Sequence, residues 1–297
     1  MLKPEIRNKI QSLWDRLWGG GLANPITAIE NISFLLFLKR LENFHPEVDE
    51  THKWSNYHQL KDDELKDRVL ATFYYIQNDL ADEGEPFAIE IKKAQFGINN
   101  SILLEDAVKF IDDIYIEIEK EEKGEQHFQD IQGDVYEHLL KATNEAGKNG
   151  QFRTPRHIIQ MMSELIKPEI GSKDVKICDV TSGSSGFLVG AYQYILKENS
   201  KKTKKDEENG LEKALDAEKL TKAKRKQLDE NTFFGFDIDA TMVRIGMMNM
   251  MMHGIKNPKV ANINTLSDEY EKYFSDEEAK EINLDNVLSG KIKSKVS

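Results

Sequence analysis

Apolar residues recur at helical spacing through the first half of the chain. Leu13, Trp14, Leu17 and Trp18 fall on one side of a helix, and Gly19-Gly20-Gly21 ends that run with residues free to take positive φ. Thr27 and Glu30 have capping-box spacing, in which hydroxyl and carboxylate each satisfy an orphan backbone donor, and predict the next helix start. The helix behind them, AIENISFLLFLKRLENF, carries Ile29, Ile32, Leu36 and Phe37 on one side and stops at His45-Pro46. Its apolar character continues round most of the circumference, which predicts a place deep in a bundle. Further helical patterns cover 64–80 and 103–117. Nothing here alternates with period two for long enough to suggest a sheet.

The rhythm changes after about residue 148. A turn containing Gly147 and Gly150 leads to a helix opening at Thr154-Pro155, where proline is tolerated in the first turn. VKICDV, residues 175–180, is a short apolar run between a charged loop and a small-residue turn, and reads as a buried parallel strand. FLVGAYQYIL reads as a helix, 233–238 as a second strand, 240–254 as a helix and 259–263 as a third strand. This alternation is the signature of a parallel α/β sheet. A charged insert, 197–230, lies between the first two strands and reads as a solvated helix pair or mobile segment. A nucleic-acid contact is the sharper alternative, weakened because its acids nearly cancel its bases. Two domains are expected, 1–147 and 148–297.

Length and charge narrow the picture. A chain of 297 residues suits two domains, and its formal net charge of −11 disfavours a protein that grips nucleic acid unaided. The N-terminus lacks the charged-then-apolar signal architecture, and no run of ~20 apolar residues could span a bilayer. One cysteine excludes a disulfide framework and fits a reducing cytoplasm.

The candidate chemistry sits at the strand ends. Asp179 closes the first strand, and Thr181-Ser182-Gly183-Ser184-Ser185-Gly186 leads into a helix whose unpaired N–H groups carry positive potential. Asp237 at the tip of the second strand has the chemistry to accept two hydrogen bonds from a ribose diol. The turn lacks the G-x-G-x-x-G order of dinucleotide enzymes, which disfavours a nicotinamide-dependent dehydrogenase. Five methionines between Met247 and Met252 read as core packing, Cys178 as a buried strand residue, and His45, His52 and His58 as no metal site. On their own, Arg153 and Arg156 could serve either a cofactor or an ion pair to the bundle.

Three segments, KNGQFRTPR (148–156), DVTSGSSGFLVGAY and FFGFDIDATMVRIGMMNMMMHGI, resemble in order the methylation subunit of type I restriction–modification systems, which are adenine-N6 DNA methyltransferases. FLLFLKRLEN and GDVYEHLL resemble that family's helical N-terminal domain, so the likeness runs from about residue 10 to about 268. It implies an α/β fold, an N-terminal helical bundle followed by an incomplete Rossmann-like S-adenosylmethionine-dependent methyltransferase domain. It also implies a cofactor site. Gln151, Phe152, Arg153, Thr154, Pro155 and Arg156 would pack near the methionine end of S-adenosylmethionine. Ser184, Ser185 and Gly186 would form the turn, Asp237 would hold the ribose, and Asp179 would lie near the cofactor's amino group.

The sequence also departs from the family pattern. Val180 replaces the usual proline, and the Ser185 side chain is expected to narrow the space for backbone approach. Asp237 is shorter than the usual glutamate. Asn264 stands where an aspartate normally meets the adenine amino group, and its carbonyl oxygen can still accept. The Asn/Asp-Pro-Pro-aromatic tetrapeptide is absent, since Asn24-Pro25-Ile26 and Asn257-Pro258-Lys259 lack both the second proline and the aromatic. No residue is therefore assigned a catalytic role, and the chain is expected to be truncated and inactive alone; a non-catalytic cofactor- or partner-binding remnant is the alternative. Implied partners are a specificity subunit, a second methylation subunit, a restriction subunit in the full complex, and double-stranded DNA through that complex, with no membrane.

Overall fold

The computed structural model describes residues 2–22, 24–121, 125–145, 153–171, 175–205, 212–214 and 216–267. Helix α1 (Pro4–Gly19) ends at Gly20 and Gly21, the latter at φ 104°, and buries Leu13, Trp14 and Leu17 while Trp18 stays exposed. Helix α2 (Pro25–Phe44) stops before His45 as its pattern predicts. Its start differs from expectation. Asn24, not Thr27, is the cap: its Oδ1 accepts from the Ile26 N–H at 2.9 Å, and Pro25 opens the helix. Glu30 is thereby released from capping and serves a buried ion pair.

Two 3-10 turns, Glu50–His52 and Trp54–Gln59, precede α3 (Asp62–Tyr75), whose last turn widens into a π turn at Ile76–Leu80. Helices α4 (Pro86–Ile91), α5 (Ser101–Glu121) and α6 (Glu125–Glu145) complete this half, with no strand among the described residues up to 145.

After α7 (Arg156–Ile166), strand β1 (Ile177–Asp179) leads through α8 (Gly186–Glu198) to a hairpin of β2 (Thr203–Lys205) and β3 (Glu212–Ala214). Helix α9 (Lys222–Glu230), β4 (Phe233–Asp237), α10 (Ala240–Met252) and β5 (Lys259–Asn262) follow. Strands β1, β4 and β5 form one parallel sheet in that order, with Asp179 opposite Gly235 and Asp237 opposite Asn262. The expected buried first strand is a half-buried one, because among the described residues β1 has a neighbouring strand on one side only. The insert also differs from a helix pair. Its described residues form an antiparallel hairpin and a single helix, and Lys213 of β3 is tied to Asp134 of α6 at 2.6 Å.

Helix α10 joins the two halves. It packs on α2, α4 and α6 on one side and on α8, β4 and β5 on the other. That two-sided burial explains why it is apolar all round and why Met247, Met248, Met250, Met251 and Met252 are all buried. Arg244, also buried, donates from Nε to Glu30 of α2 at 2.7 Å, and Arg40 donates to the Met251 carbonyl at 2.8 Å. Among the described residues, no helix is long and apolar enough to cross a membrane.

Candidate cofactor site

The turn after β1 is built from the back. The Ser182 N–H donates to the Phe236 carbonyl at 2.8 Å, and the Gly183 N–H donates to Asp237 Oδ2 at 2.8 Å, so the tip of β4 fixes the turn. Gly183 and Ser185 both take the left-handed conformation, at φ 51° and 59°. Such a φ is costly for a serine, yet here the side chain turns inward. A Cβ on Gly246 of α10 would stand 2.6 Å from Ser185 Oγ, so the glycine in α10 makes room for the serine in the turn. The expected narrowing at Ser185 therefore does not occur. Its side chain is fully buried against α10 rather than directed into the cleft. Asn249, one helical turn on, donates from Nδ2 to the Ser184 carbonyl at 2.8 Å.

Helix α8 begins at this turn with no side-chain cap, leaving its first N–H groups without a side-chain acceptor. Gly186 and Phe187 line a cavity of about 890 Å³, together with Arg153, Thr154, Pro155, Arg156, Ser184, Asp237, Asn249 and Glu137. The structure thus brings seven of the expected residues into one cavity: Arg153, Thr154, Pro155, Arg156, Ser184, Gly186 and Asp237. Gln151 and Phe152 lie outside the described residues.

Three expected residues do not line that cavity. Ser185 is behind the turn. Asp179 accepts from the Thr181 N–H at 3.1 Å, and burial together with the Asp237 charge raises its carboxyl above the usual range. Asn264 uses its Oδ1 on the Leu266 N–H at 3.1 Å, in a loop that Thr265 pins to the Val180 carbonyl.

The two arginines behave differently. Arg156 ion-pairs with Asp134 at 3.2 Å and with Glu137, both on α6, while still lining the cavity. Burial would raise the Glu137 carboxyl, but Arg156 and His253 outweigh it and hold that group far below the usual range. Arg153 keeps a buried Nε with no hydrogen-bond partner, and burial lowers its guanidinium pKa. Cys178 is half-buried, with its thiol pushed up to about 12 by burial and then by Asp179, which disfavours the reactive thiolate.

Spacing alone did not reveal Glu137, Gly246, Asn249 or His253. One signal was available: Asn249 is a lone amide within a methionine run, and a buried amide needs a partner.

These residues suit an S-adenosylmethionine-like ligand. The uncapped start of α8 and the unpartnered Arg153 Nε suit a carboxylate. Asp237 donates nothing and has one N–H on each oxygen, from Gly183 and Asp239, so each oxygen keeps a lone pair for a diol.

The fold and site together define an α/β protein with a cleft at the carboxyl ends of its parallel strands, joined to a helical bundle. The sequence pattern of the N-6 DNA methylase family matches residues 127–289, more than half of the chain, and the HsdM N-terminal domain matches residues 6–151. The chain belongs to the N-6 DNA methylase family. It is 30% identical over 152 residues to the type I restriction enzyme EcoEI methylase subunit of Escherichia coli, covering 51% of this chain and 26% of that protein. It is 26% identical over 258 residues to the StySPI methylase subunit of Salmonella potsdam, covering 84% of this chain and 43% of the relative. The chain therefore spans less than half the length of either relative. A chain from a structure of the type I R-M system superposes with a TM-score of 0.66 at 22% identity, covering 92% of this chain and 53% of that one. A modification subunit from Vibrio vulnificus YJ016 gives 0.61 at 19%, covering 92% and 59%.

Proposed function

We propose that this chain binds S-adenosylmethionine and serves the methylation of adenine N6 in DNA within a type I restriction–modification complex. The observation that carries the reading is Asp237. It sits at the carboxyl end of β4, spends one lone pair of each oxygen on the turn, and faces the same cavity as the uncapped start of α8. A carboxylate in that place binds a ribose diol, while the helix start and Arg153 bind the amino acid carboxylate. Thr154 and Pro155 form the opposite wall, and Asp179 supplies a negative charge beyond the turn.

The bound cofactor supplies a methyl group on a sulfonium, and the residues described here hold and orient it. Transfer to adenine also needs acceptors for the protons of the exocyclic amine and a ring to stack on the flipped base. This sequence has no Asn/Asp-Pro-Pro-aromatic element, and its two Asn-Pro pairs serve elsewhere. Asn24 caps α2, and the Asn257 N–H donates to the Asp229 carbonyl between α10 and β5. The chain alone is expected to bind cofactor without methylating DNA. Specificity and methylation partners, with a restriction subunit in the full complex, would supply DNA recognition, consistent with the net charge of −11.

Calorimetric titration tests this. S-adenosylmethionine should give measurable heat with the native chain and none with Asp237→Ala. An absence of heat with the native chain at millimolar cofactor overturns the reading.

A further inference from the structure

The two walls of the cavity come from distant parts of the sequence, the turn 182–186 and the segment 153–156. A path of polar contacts, buried at Asn249 and His253 and partly exposed at Glu137 and Arg156, connects them. Asn249 Nδ2 donates to the Ser184 carbonyl at 2.8 Å. His253 Nδ1 lies 2.8 Å from the Asn249 carbonyl, one turn further along α10. His253 Nε2 lies 3.4 Å from Glu137 Oε1 on α6, and the other Glu137 oxygen pairs with Arg156 at the start of α7. His253 is 1% exposed, and Asn249 is 2% exposed. The ring fits because α6 has glycine there: a Cβ on Gly133 would stand 2.4 Å from His253 Cδ2. Asp134 adds a branch, holding both Arg156 and Lys213 of the insert hairpin.

Local stability does not require such a path. Helix α10 is already anchored to the bundle by Arg244 and Glu30, and α7 already packs along α8. What the path adds is a polar link between the walls, through hydrogen bonds and charge contacts whose donors and acceptors must match, beside the apolar packing. His253 Nδ1 is hydrogen-bonded to the Asn249 carbonyl, while Nε2, which makes no hydrogen bond, stands 3.4 Å from Glu137 Oε1, so the ring bridges α10 and α6 by one hydrogen bond and one close approach to a carboxylate.

We infer that Asn249, His253 and Glu137 are positioning residues, which couple the turn to the 153–156 wall and so set the width of the cofactor cavity. The inference deepens the cofactor reading above and rests on it for its purpose, though not for the coupling itself. Glu137 belongs to the helical half, which thereby takes part in cofactor binding from a helix outside the α/β sheet.

Hydrogen exchange on the ligand-free chain reads the coupling directly. Asn249→Ala is expected to speed exchange in 182–186 and also in 153–159, by about tenfold in each. Glu137→Gln should do the same from the other end. Asp229→Asn, which alters a buried carboxylate held by Arg225 and Tyr192 away from the path, should leave exchange in both walls unchanged. Acceleration confined to the wall next to each substitution overturns the proposal. If Glu137→Gln does not fold, Asn249→Ala alone still decides, since the 153–159 wall lies at the far end of the path.

A second arm uses cofactor titration. The Asn249→Ala, Glu137→Gln double variant should bind S-adenosylmethionine no worse than the weaker single variant, because either break severs the path. Fully additive losses overturn the coupling. Absent binding by the native chain, with coupled exchange intact, overturns the cofactor reading while supporting the path.

Discussion

Asp179 illustrates how a site residue stands against stability. Its carboxyl is half-buried, accepts from the Thr181 N–H, and feels Asp237, so its pKa is raised in the folded chain. A raised carboxyl pKa means the ionised form is disfavoured by folding, so the residue lowers stability at neutral pH, and the loss is relieved as pH falls through the raised value. Asp179→Asn keeps an oxygen for the Thr181 N–H and removes the charge. Its Tm should therefore exceed that of the native chain at pH 7, and the difference should shrink as the solution is acidified. A Tm lowered at pH 7 would refute this account. Ser185 carries a second local cost, a non-glycine residue at φ 59° whose buried hydroxyl makes no hydrogen bond.

At the level of elements, α10 carries the most information. One side grips the bundle through Arg244, while the other holds the turn through Gly246 and Asn249. A methyl group at Gly246 would meet Ser185 Oγ at 2.6 Å and the Gly183 carbonyl at 2.8 Å. The second atom is backbone and cannot rotate away. Gly246→Ala is therefore expected to displace the turn, with a cost of about 1–3 kcal/mol from overpacking and loss of cofactor heat in calorimetry. Unchanged stability and binding would show that the turn yields freely. The insert shows the complementary lesson. Its charge pattern resembles that of a solvated helix, yet Lys213 finds Asp134 on α6, and that long-range partner favours a hairpin over a second helix.

For the molecule as a whole, the buried core is continuous from Ile6 in α1 to Val260 in β5. The Glu30–Arg244 pair lies within it, both side chains almost wholly buried. Removing one charge leaves the other without a counter-ion, so Glu30→Gln should lower stability by about 3 kcal/mol. Because the core is shared, chemical denaturation should still follow one transition for probes in both halves; two separated transitions would contradict a shared core. The sequence by itself determined the helix periods, the parallel strand–helix order, the small-residue turn and the Asp237 strand tip, because each depends on local spacing. It also carried the family likeness. The folded structure decided between Asn24 and Thr27 as the cap of α2, and tertiary structure alone decided that Ser185 turns inward and that Glu30, Asn249 and His253 are buried polar residues, with Glu137 beside them partly exposed. The Asn24 cap is a local choice between two competing caps, but the Asn249–Ser184 and Glu30–Arg244 pairs join residues 65 and 214 positions apart, whose donors and acceptors must be matched once water is excluded, and no local period encodes that matching.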